Sequence, residues 1–523
     1  MDGCSIPTSK KEVEALGWNY IDVILFSGDA FVDHPSFGTA IIARVLEAAG
    51  YRVAVVPQPN WRDDLRDFRK LGAPRLFFGV TSGAMDSMVN HYTAAKRLRS
   101  DDAYTPEGRA GARPDRATTV YSTILKKLYP DVPVVIGGIE ASLRRNPHYD
   151  YWSDSVRPSI LDESGADYLV SGMGEMPVLY LADKFGRKYG RKVTLKVAEN
   201  LESQVTVTGK VISATPLSTE QMDWIYGLPY TKLPHPRYRG KRIPAYDMIK
   251  FSVTTHRGCF GGCNFCAITA HQGKTIQSRS EESVIREITA LTKHPEFKGT
   301  VTDLGAPTAN MYMMRGFNTD ICARCKRTSC LHPSVCGNLN HDHTPLLRLY
   351  EKVLAIPGVK HVYIGSGIRY DLFLDENGFL DEDGRRYFEQ LVTRHTSGRL
   401  KVAPEHTEDH VLKAMAKPSF RLFERLRAEF DSLVRARKLN YQLVPYFISA
   451  HPGCTERDME ALSRRVSLHG LYMDQVQDFT PTPMTVSTEM FHTGIDPVTG
   501  ERIFVERDTA KKQRQKSFFF KKR

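Results

Sequence analysis

Three cysteines stand close together near the middle of the 523-residue chain, in the segment HRGCFGGCNFCAI. Cys259, Cys263 and Cys266, the first cysteine set, follow a C-x3-C-x2-C spacing and are interleaved with glycines. Because glycine tolerates positive φ, such a loop can curl tightly and bring three thiolates onto one cubane iron–sulfur cluster. These clusters usually take four cysteine ligands. With only three in the loop, one iron is left without a protein ligand, as a catalytic metal site requires.

Two other interpretations of this loop stay open, a structural zinc site and a cluster used only for electron transfer. Zinc usually takes paired cysteines from two separated elements and a fourth ligand, which this compact trio fits less well. The loop directly follows a predicted strand at residues 250–255. That position at the end of a strand favours a catalytic cluster.

Four more cysteines form a second set within the segment CARCKRTSCLHPSVC. The spacings are x2, x4 and x5, and the residues are Cys322, Cys325, Cys330 and Cys336. Three histidines stand nearby, at His332, His341 and His343. The four thiols could enclose zinc or an auxiliary iron–sulfur cluster, and a cysteine-rich loop without metal is the alternative. A full set of four ligands favours a closed site, structural or electron-relaying.

The N-terminal part of the chain alternates short apolar runs with helical stretches. Strands are predicted at residues 22–28, 51–57, 75–80, 132–138 and 166–172, with helices at 39–50 and near 82–98. Runs that are apolar on both faces predict a parallel sheet covered by helices, with ligands beyond the carboxyl ends of the strands. Residues 100–116, which are polar and contain glycine and proline, predict a mobile loop.

A second βα series begins near Met248. Six candidate strands lie at residues 250–255, 299–305, 361–367, 399–404, 439–449 and 474–480, with helices predicted at 281–294, 420–438 and 456–470. The pattern predicts a full or partial βα barrel, in which chemistry takes place at the C-terminal ends of the strands.

Composition and charge exclude some classes of protein. No run approaches the roughly 18 apolar residues of a membrane helix, and no signal peptide is evident, so we expect a cytoplasmic protein without membrane contact. Thiols stay reduced there, so the nine cysteines indicate metal ligands or buried thiols. The net charge is +12, of which +7 falls on residues 507–523. Such a short basic tail is more typical of a solvated end, with RNA contact as the alternative.

Several segments identify a resemblance to a known family. C-x3-C-x2-C with an aromatic before the last cysteine, here Phe265, is the hallmark of radical SAM enzymes. The chain more specifically resembles the YgiQ-type family of radical SAM proteins, over most of its length. The matching segments are LPHPRYRGKRIPAYDMIKFSV (233–253), DLGAPTANMY (303–312), SGIRYD (366–371), LVPYFISAHPGCT (443–455) and FTPTPMTVST (479–488).

The resemblance implies an enzyme that cleaves S-adenosylmethionine (SAM) reductively with a [4Fe-4S] cluster and generates a 5′-deoxyadenosyl radical on an unknown substrate. It implies that the first cysteine set holds the cluster and that a small protein such as flavodoxin or ferredoxin supplies the electron. Four residues are implied to contact SAM: Phe265 near the adenine, Gly305 near the amino group, and Ser366 and Arg369 near the ribose and carboxylate. For Arg369, a surface salt bridge is the alternative role. The rival to the enzyme hypothesis is an iron–sulfur or zinc protein that binds RNA or transfers electrons.

The resemblance also implies a domain order. An N-terminal Rossmann-like domain (1–187), similar to cobalamin-binding domains, precedes a connector (188–245). The radical SAM core (246–505) carries a cysteine-rich insertion (308–343), and a basic tail (506–523) follows. Cobalamin held through histidine usually requires Asp-x-His-x-x-Gly. Here Asp33 and His34 are adjacent and Gly38 lies four residues on, so we assign this domain no ligand.

Overall fold

The structure is a computed structural model that describes residues 5–468 and 475–519. Cys4, the end of the predicted helix at 456–470, the start of the predicted strand at 474–480 and the last four residues of the basic tail lie outside the described residues. The chain divides after Lys250 into two compact units, which we call unit 1 and unit 2. Within the described residues, none of the helices is both long and apolar enough to cross a membrane.

Unit 1 is built on a seven-stranded sheet whose strands are parallel except at one edge. The order is β2-β1-β3-β4-β7-β9-β8, and only β8 runs antiparallel to its neighbour. β5 and β6 form a separate hairpin. The strands are β1 Val23–Ser27, β2 Val53–Pro57, β3 Phe77–Thr81, β4 Val134–Ile136, β5 His148–Asp150, β6 Ser155–Arg157, β7 Tyr168–Ser171, β8 Val205–Thr208 and β9 Val211–Ala214. The five strands predicted for this region are confirmed, and residues 188–245, expected as a connector, contribute β8 and β9.

Helices cover both faces of this sheet because its central strands are buried on both sides. Two apolar cores lie on the two faces, one around α2 and α8 and the other around α5. The helices are α1 Lys10–Ala15, α2 Gly38–Ala48, α3 Arg66–Arg69, α4 Ser87–His91, α5 Ala117–Leu128, α6 Gly138–Leu143, α7 Ile160–Ser164, α8 Glu175–Gly186, α9 Thr219–Tyr226 and α10 Pro244–Ile249. The predicted parallel sheet with helices on both faces is thereby confirmed.

Two local predictions in unit 1 are wrong. The helix expected near 82–98 is only the five residues of α4, which begins where the Asp86 carboxylate accepts the N–H groups of Met88 and Val89. The loop at 100–116 is held in place, because Arg113 is fully buried and forms ion pairs with Asp29 at 2.8 Å and Asp102 at 3.0 Å. A buried, doubly paired guanidinium fixes a segment that its polar composition had marked as mobile.

Unit 2 contains a curved series of parallel strands in chain order. β10 pairs with β14, β13 with β17, and β18 with β19 and β20, while a single bridge from Ile368 to Val402 joins the middle to β18. The strands of the series are β10 Ser252–Thr254, β13 Thr300–Val301, β14 Asp303–Gly305, β17 His361–Val362, β18 Arg399–Glu405, β19 Gln442–Ser449 and β20 Gln475–Asp478. Since no ladder among the described residues joins β20 to β10, the predicted βα barrel is a partial one.

Two short antiparallel pairs bracket the cysteine loops of unit 2. β11 His256–Arg257 pairs with β12 Gln277–Ser278, and β15 Arg315–Gly316 pairs with β16 Leu339–Asn340. The helices of unit 2 are α11 Ile268–Gln272, α12 Glu281–Leu291, α13 Thr319–Arg324, α14 Thr344–Leu354, α15 Glu382–Arg394, α16 Asp409–Ala414, α17 Phe420–Ala436, α18 Glu456–Leu468, α19 Val486–Thr493 and α20 Thr509–Ser517.

The described part of the basic tail is folded rather than solvated. α20 contributes Gln515, whose side-chain oxygen accepts the backbone N–H of Ala450 at 3.1 Å, and Lys512 is 4% exposed. Lys516 lies 3.3 Å from the Asp478 carboxylate at the end of β20. The expectation of a solvated tail is therefore wrong for residues 509–517, because α20 packs part of their charge against the ends of β19 and β20.

Candidate functional site

The loop that carries the first cysteine set begins at the carboxyl end of the first strand of unit 2. After β11, Gly258 has a φ of +87°, and a Cβ placed there would come within 2.1 Å of the Thr275 carbonyl oxygen. The backbone N–H of Cys259 then donates to the Gly273 carbonyl at 3.2 Å. Only glycine fits where the backbone at position 258 passes the Thr275 carbonyl. Gly258 therefore allows the two ends of the loop between β11 and β12 to come together.

The three thiols of the first set lie within electrostatic reach of one another. Burial, together with the charges of Cys263 and Cys259, raises the pKa of the Cys266 thiol to about 12. The N–H of Gly261 points at the sulfur of Cys259 from 3.4 Å, as expected of a loop that can stabilise a charged sulfur. Among the described residues, the side chains of neither cysteine set form a metal-ligating group of three.

Arg369 reaches this loop from the segment that follows β17. Its Nη1 lies 3.2 Å from the sulfur of Cys263, and its Nε donates to the Asp371 carboxylate at 2.8 Å. Arg369 is only 7% exposed, so the surface salt-bridge role is excluded. Asp371 thus holds the Arg369 guanidinium beside the thiol. A positive charge in this position suits an iron–sulfur cluster or the carboxylate of a bound ligand.

Gly305 and Ser366, which were predicted from different strands, contact each other at the strand ends. A Cβ on Gly305 would lie 2.7 Å from the Ser366 hydroxyl oxygen and 2.8 Å from Asp303. The Ser366 hydroxyl donates to Asp303, whose carboxylate also accepts the Gly365 N–H at 2.8 Å. Asp303 thus holds the end of β14 against the turn after β17, on the carboxyl side of both strands.

Phe265 lies on the side of the loop towards the last strands of unit 2. Its ring meets the His451 ring edge-on, with centroids 6.2 Å apart. His451 in turn shares a hydrogen bond of 2.7 Å with the Ser487 hydroxyl, and Ser487 donates its backbone N–H to Asn264. These contacts tie the predicted adenine-side aromatic to the end of β19.

The structure adds three polar residues that the sequence analysis missed. The hydroxyl of Thr308 lies 3.3 Å from the sulfur of Cys259. Glu405 ends β18 with a φ of +70°, and its carboxylate lies 3.9 Å from the Lys417 ammonium. Burial raises the pKa of Glu405, while Lys417 and Arg369 lower it. The rule that barrel chemistry lies at carboxyl strand ends could have identified Glu405, because it directly follows the predicted strand 399–404.

The second cysteine set lies beside the loop of the first. Burial and the charges of Cys336, Cys322 and Cys325 raise the pKa of Cys330, so the four thiols lie within electrostatic range of one another. The backbone N–H of Cys330 donates to the Phe260 carbonyl at 3.0 Å. Cys322 is exposed, and the other three are partly buried. The second cysteine set therefore lies on one loop that contacts the loop of the first set, and its described side chains do not form a metal-ligating group of three.

Between β1 and β3, the carboxyl edge of the sheet in unit 1 is filled by the chain itself. A Cβ on Gly28 after β1 would meet the Ser82 carbonyl oxygen at 2.3 Å, and one on Gly83 would meet the Asp29 carboxylate at 2.2 Å. The Arg113 guanidinium occupies the space between Asp29 and Asp102. The place where ligands of such sheets bind is closed between β1 and β3.

Asp33 and His34 are engaged in contacts within the chain and do not provide a ligand site at this edge. Asp33 forms an ion pair with Arg44 at 2.5 Å and accepts the Thr231 N–H at 2.9 Å. His34 is 1% exposed, and its Nδ1 accepts the Ser36 N–H. The residues present therefore do not fit a cobalamin held through histidine at this edge.

Comparison with curated proteins decides the family. A UPF0313 protein of Bacteroides thetaiotaomicron is 52% identical, over 98% of this chain and 93% of that protein. A UPF0313 protein of Methanocella arvoryzae is 45% identical over 97% and 91%. The chain belongs to the UPF0313 (YgiQ-type) family. A family model described as Radical SAM N-terminal matches residues 5–208 and 192–252 of this UPF0313 chain, and a domain of unknown function (DUF3362) matches residues 474–522.

Solved structures with the same fold are radical SAM enzymes. TsrM from Kitasatospora setae, described as a radical S-adenosylmethionine methyltransferase with tryptophan substrate and a SAM analog bound, has a TM-score of 0.53 at 17% identity. The match covers 90% of the UPF0313 chain and 74% of TsrM. OxsB, described as cobalamin-dependent, has a TM-score of 0.51 at 12% identity, over 92% and 56%. At these identities the likeness shows the fold alone.

Proposed function

We propose that this UPF0313 protein is a radical SAM enzyme whose first cysteine set holds a [4Fe-4S] cluster. The observation that carries the proposal is the position of Cys259, Cys263 and Cys266 together on one glycine-rich loop, which follows the first strand of a partial βα barrel. Three thiolates leave one iron open for SAM. When bound, cluster and SAM together supply reductive cleavage to a 5′-deoxyadenosyl radical, which abstracts hydrogen from a substrate of unknown identity.

The surrounding residues have separate parts in this proposal. Arg369 places a positive charge at Cys263. Asp371 orients the Arg369 guanidinium by accepting its hydrogen bond. Because Gly305 has no side chain, Ser366 and Asp303 can lie directly against the end of β14, where the amino group of SAM would approach the Gly305 backbone. Phe265 supplies an apolar ring that excludes water from the loop. The assignment of Phe265, Gly305, Ser366 and Arg369 to SAM is part of the proposal.

The electron comes from outside the chain in this proposal. A small reductant protein such as flavodoxin or ferredoxin would dock near the loop and reduce the cluster. The UPF0313 chain itself supplies positioning and exclusion of water, as proteins do for cofactors that carry the chemistry.

The test is cofactor cleavage without added substrate. The full chain is reconstituted anaerobically with iron and sulfide, then given dithionite and SAM, and 5′-deoxyadenosine is measured by mass spectrometry. We expect product from the wild type and none above background from Cys263→Ala. Cys454→Ala is the matched control, since it removes a buried thiol of unit 2 outside both sets.

Two results would overturn the proposal. One is the absence of product from a wild type that holds about four iron atoms per chain at the first set. The other is equal product from Cys263→Ala. Either would leave the rival, a non-catalytic iron–sulfur or zinc protein. An RNA role would then be measured as affinity against salt, with and without residues 507–523.

A further inference from the structure

The second cysteine set lies in a segment whose two ends are joined. β15 and β16 pair on either side of it. Beside them, the Asn338 side chain accepts the Asn318 N–H at 3.0 Å and donates to the Asn318 carbonyl at 2.9 Å. The same amide nitrogen lies 3.3 Å from the sulfur of Cys322. The segment is therefore a closed loop, with one of the four thiols at its neck.

The interior of this loop is shaped by side-chain bonds to its own backbone. Arg327 donates to the carbonyls of Ser329, His332 and Ser334, at 3.1, 3.1 and 2.7 Å. The backbone N–H of Cys336 donates to the Cys330 carbonyl at 2.8 Å. Such bonds hold ligand-bearing backbone in place before a ligand arrives, as binding sites require.

The loop is also attached to the loop of the first cysteine set. Ser329 donates its hydroxyl to the Gly261 carbonyl at 2.7 Å. A Cβ on Gly262 would come within 2.7 Å of the Thr328 carbonyl oxygen and the Ser329 Cβ. With the bond from Cys330 to Phe260, these contacts join the two loops through backbone on both sides.

Apolar packing alone is a weak support for the segment. Its core consists of six buried residues: Phe260, Met311, Met314, Leu331, Leu339 and Leu372. Small cores of this size are usually supplemented by disulfides or a metal, and no disulfide links the described cysteines. His343 is not a spare ligand, because its ring stacks on Tyr387 at 4.2 Å and lies 3.3 Å from the Asn310 amide.

We propose that Cys322, Cys325, Cys330 and Cys336 bind a second metal centre, as a closed site of four thiolates. Four cysteines on one pre-shaped loop suit a soft, thiolate-preferring centre, either zinc or an iron–sulfur cluster. Lys274 from the first loop donates to the Arg327 carbonyl at 2.9 Å. A cation there offsets part of the negative charge that four thiolates bring together.

Metal content tests the site independently of SAM cleavage. The variant Cys259→Ala/Cys263→Ala/Cys266→Ala removes the first set, and elemental analysis follows anaerobic purification. We expect about one zinc or about four iron atoms per chain to remain, and the element found distinguishes the two centres. Adding Cys330→Ser/Cys336→Ser should remove this metal. A triple variant without stoichiometric metal, or equal metal after the serine exchanges, would overturn the proposal.

Thiol reactivity in the unaltered chain supplies a second measurement, should the serine variants fail to fold. Cys322 is exposed and would be alkylated quickly as a free thiol. As a metal ligand, we expect it to react about tenfold more slowly with iodoacetamide than after chelation in mild denaturant. Peptide mass spectrometry reads each cysteine separately. Full alkylation of Cys322 in the freshly purified chain would contradict the site.

The contacts between the loops give the second centre a consequence for the first, which rests on the proposed function. Loss of the second metal in Cys330→Ser/Cys336→Ser should loosen Phe260 and Gly261 and lower the iron retained at the first set about threefold or more. Cys454→Ala should retain wild-type iron. Unchanged retention at the first set would refute the bracing role, while the metal count decides the second site itself.

Discussion

At the scale of single residues, the candidate site combines buried charges with the sulfur of Cys263. Arg369 and Asp371 are both nearly inaccessible and face each other through two hydrogen bonds, while the guanidinium also reaches Cys263. Burial raises the pKa of Asp371, but the charge and hydrogen bonds of Arg369 outweigh it and hold that pKa below its usual range. The pair is therefore ionised at neutral pH, and neither member is expendable alone.

This arrangement predicts strong coupling between Arg369 and Asp371. Arg369→Leu or Asp371→Leu alone should cost about 3–5 kcal/mol, because each leaves an uncompensated buried charge. The double variant should cost clearly less than the sum of the two. The measurement is the free energy of unfolding in urea. Arg464→Leu, which breaks the exposed pair with Glu460 on α18, is the control and should cost less than about 1 kcal/mol. Additive costs at positions 369 and 371 would contradict the coupling.

The residues that sequence predicted and those that it missed differ in one physical respect. Cysteine spacing is local, so the first set could be predicted from thirteen neighbouring letters. Thr308 contacts the cysteine loop only because separate strands end at the same edge. A hydroxyl 49 residues away from its sulfur carries no signal in the sequence until the barrel has placed it.

At the scale of elements, two glycines of the cysteine loop stand where two backbone segments are joined by a hydrogen bond. Gly258 and Gly273 both have positive φ, and they begin and end the same hydrogen-bonded closure. Their surroundings differ, since a Cβ on Gly258 would strike the Thr275 carbonyl and one on Gly273 would meet nothing within 4 Å. Alanine at Gly273 therefore tests the cost of a positive φ alone, while alanine at Gly258 tests that cost together with a steric clash.

Gly258→Ala should lower both stability and iron retention much more than Gly273→Ala. Alanine at either of these positive φ angles costs about 1–3 kcal/mol. The 2.1 Å contact adds to it at position 258 alone, because backbone cannot yield as a flexible side chain can. Thermal melting and iron content after reconstitution measure the two effects. If both variants lose the same amount of either, the close crossing at Thr275 has no role.

Element predictions succeeded where periodicity is strong and failed where tertiary contacts decide. The central strands of both units were found because they are apolar runs bounded by turn residues, whereas β8 and β9 lie in the residues that were expected to form a connector. The helix expected near 82–98 stops at His91, since the chain there forms the bridge between Tyr92 and Leu98 instead. The loop at 100–116 has the composition of a mobile segment, yet one arginine buried between two carboxylates fixes it.

At the scale of the whole molecule, unit 2 carries several histidines that burial keeps neutral. Burial lowers the pKa of His256 and His406 to about 3 and that of His451 to about 4. Each is nearly or fully buried, and His451 packs against the first cysteine loop through Phe265. In weak acid, these histidines therefore stay neutral in the folded chain and become protonated in the unfolded chain.

Acid should therefore destabilise unit 2 well above the range of its carboxylates. Below the ordinary histidine pKa of 6.5, the unfolded chain binds protons that the folded chain does not, so stability falls as pH drops from about 6.5 towards 4. Each buried histidine contributes about 1.4 kcal/mol per pH unit in that window. Urea unfolding between pH 7 and pH 4.5 measures the slope. His451→Gln should reduce it by about that amount, because glutamine cannot take up the proton in either state. His361→Gln, at an exposed position, should leave the slope unchanged. An equal slope in the wild type and His451→Gln would show that burial of this ring does not set the acid limit of the fold.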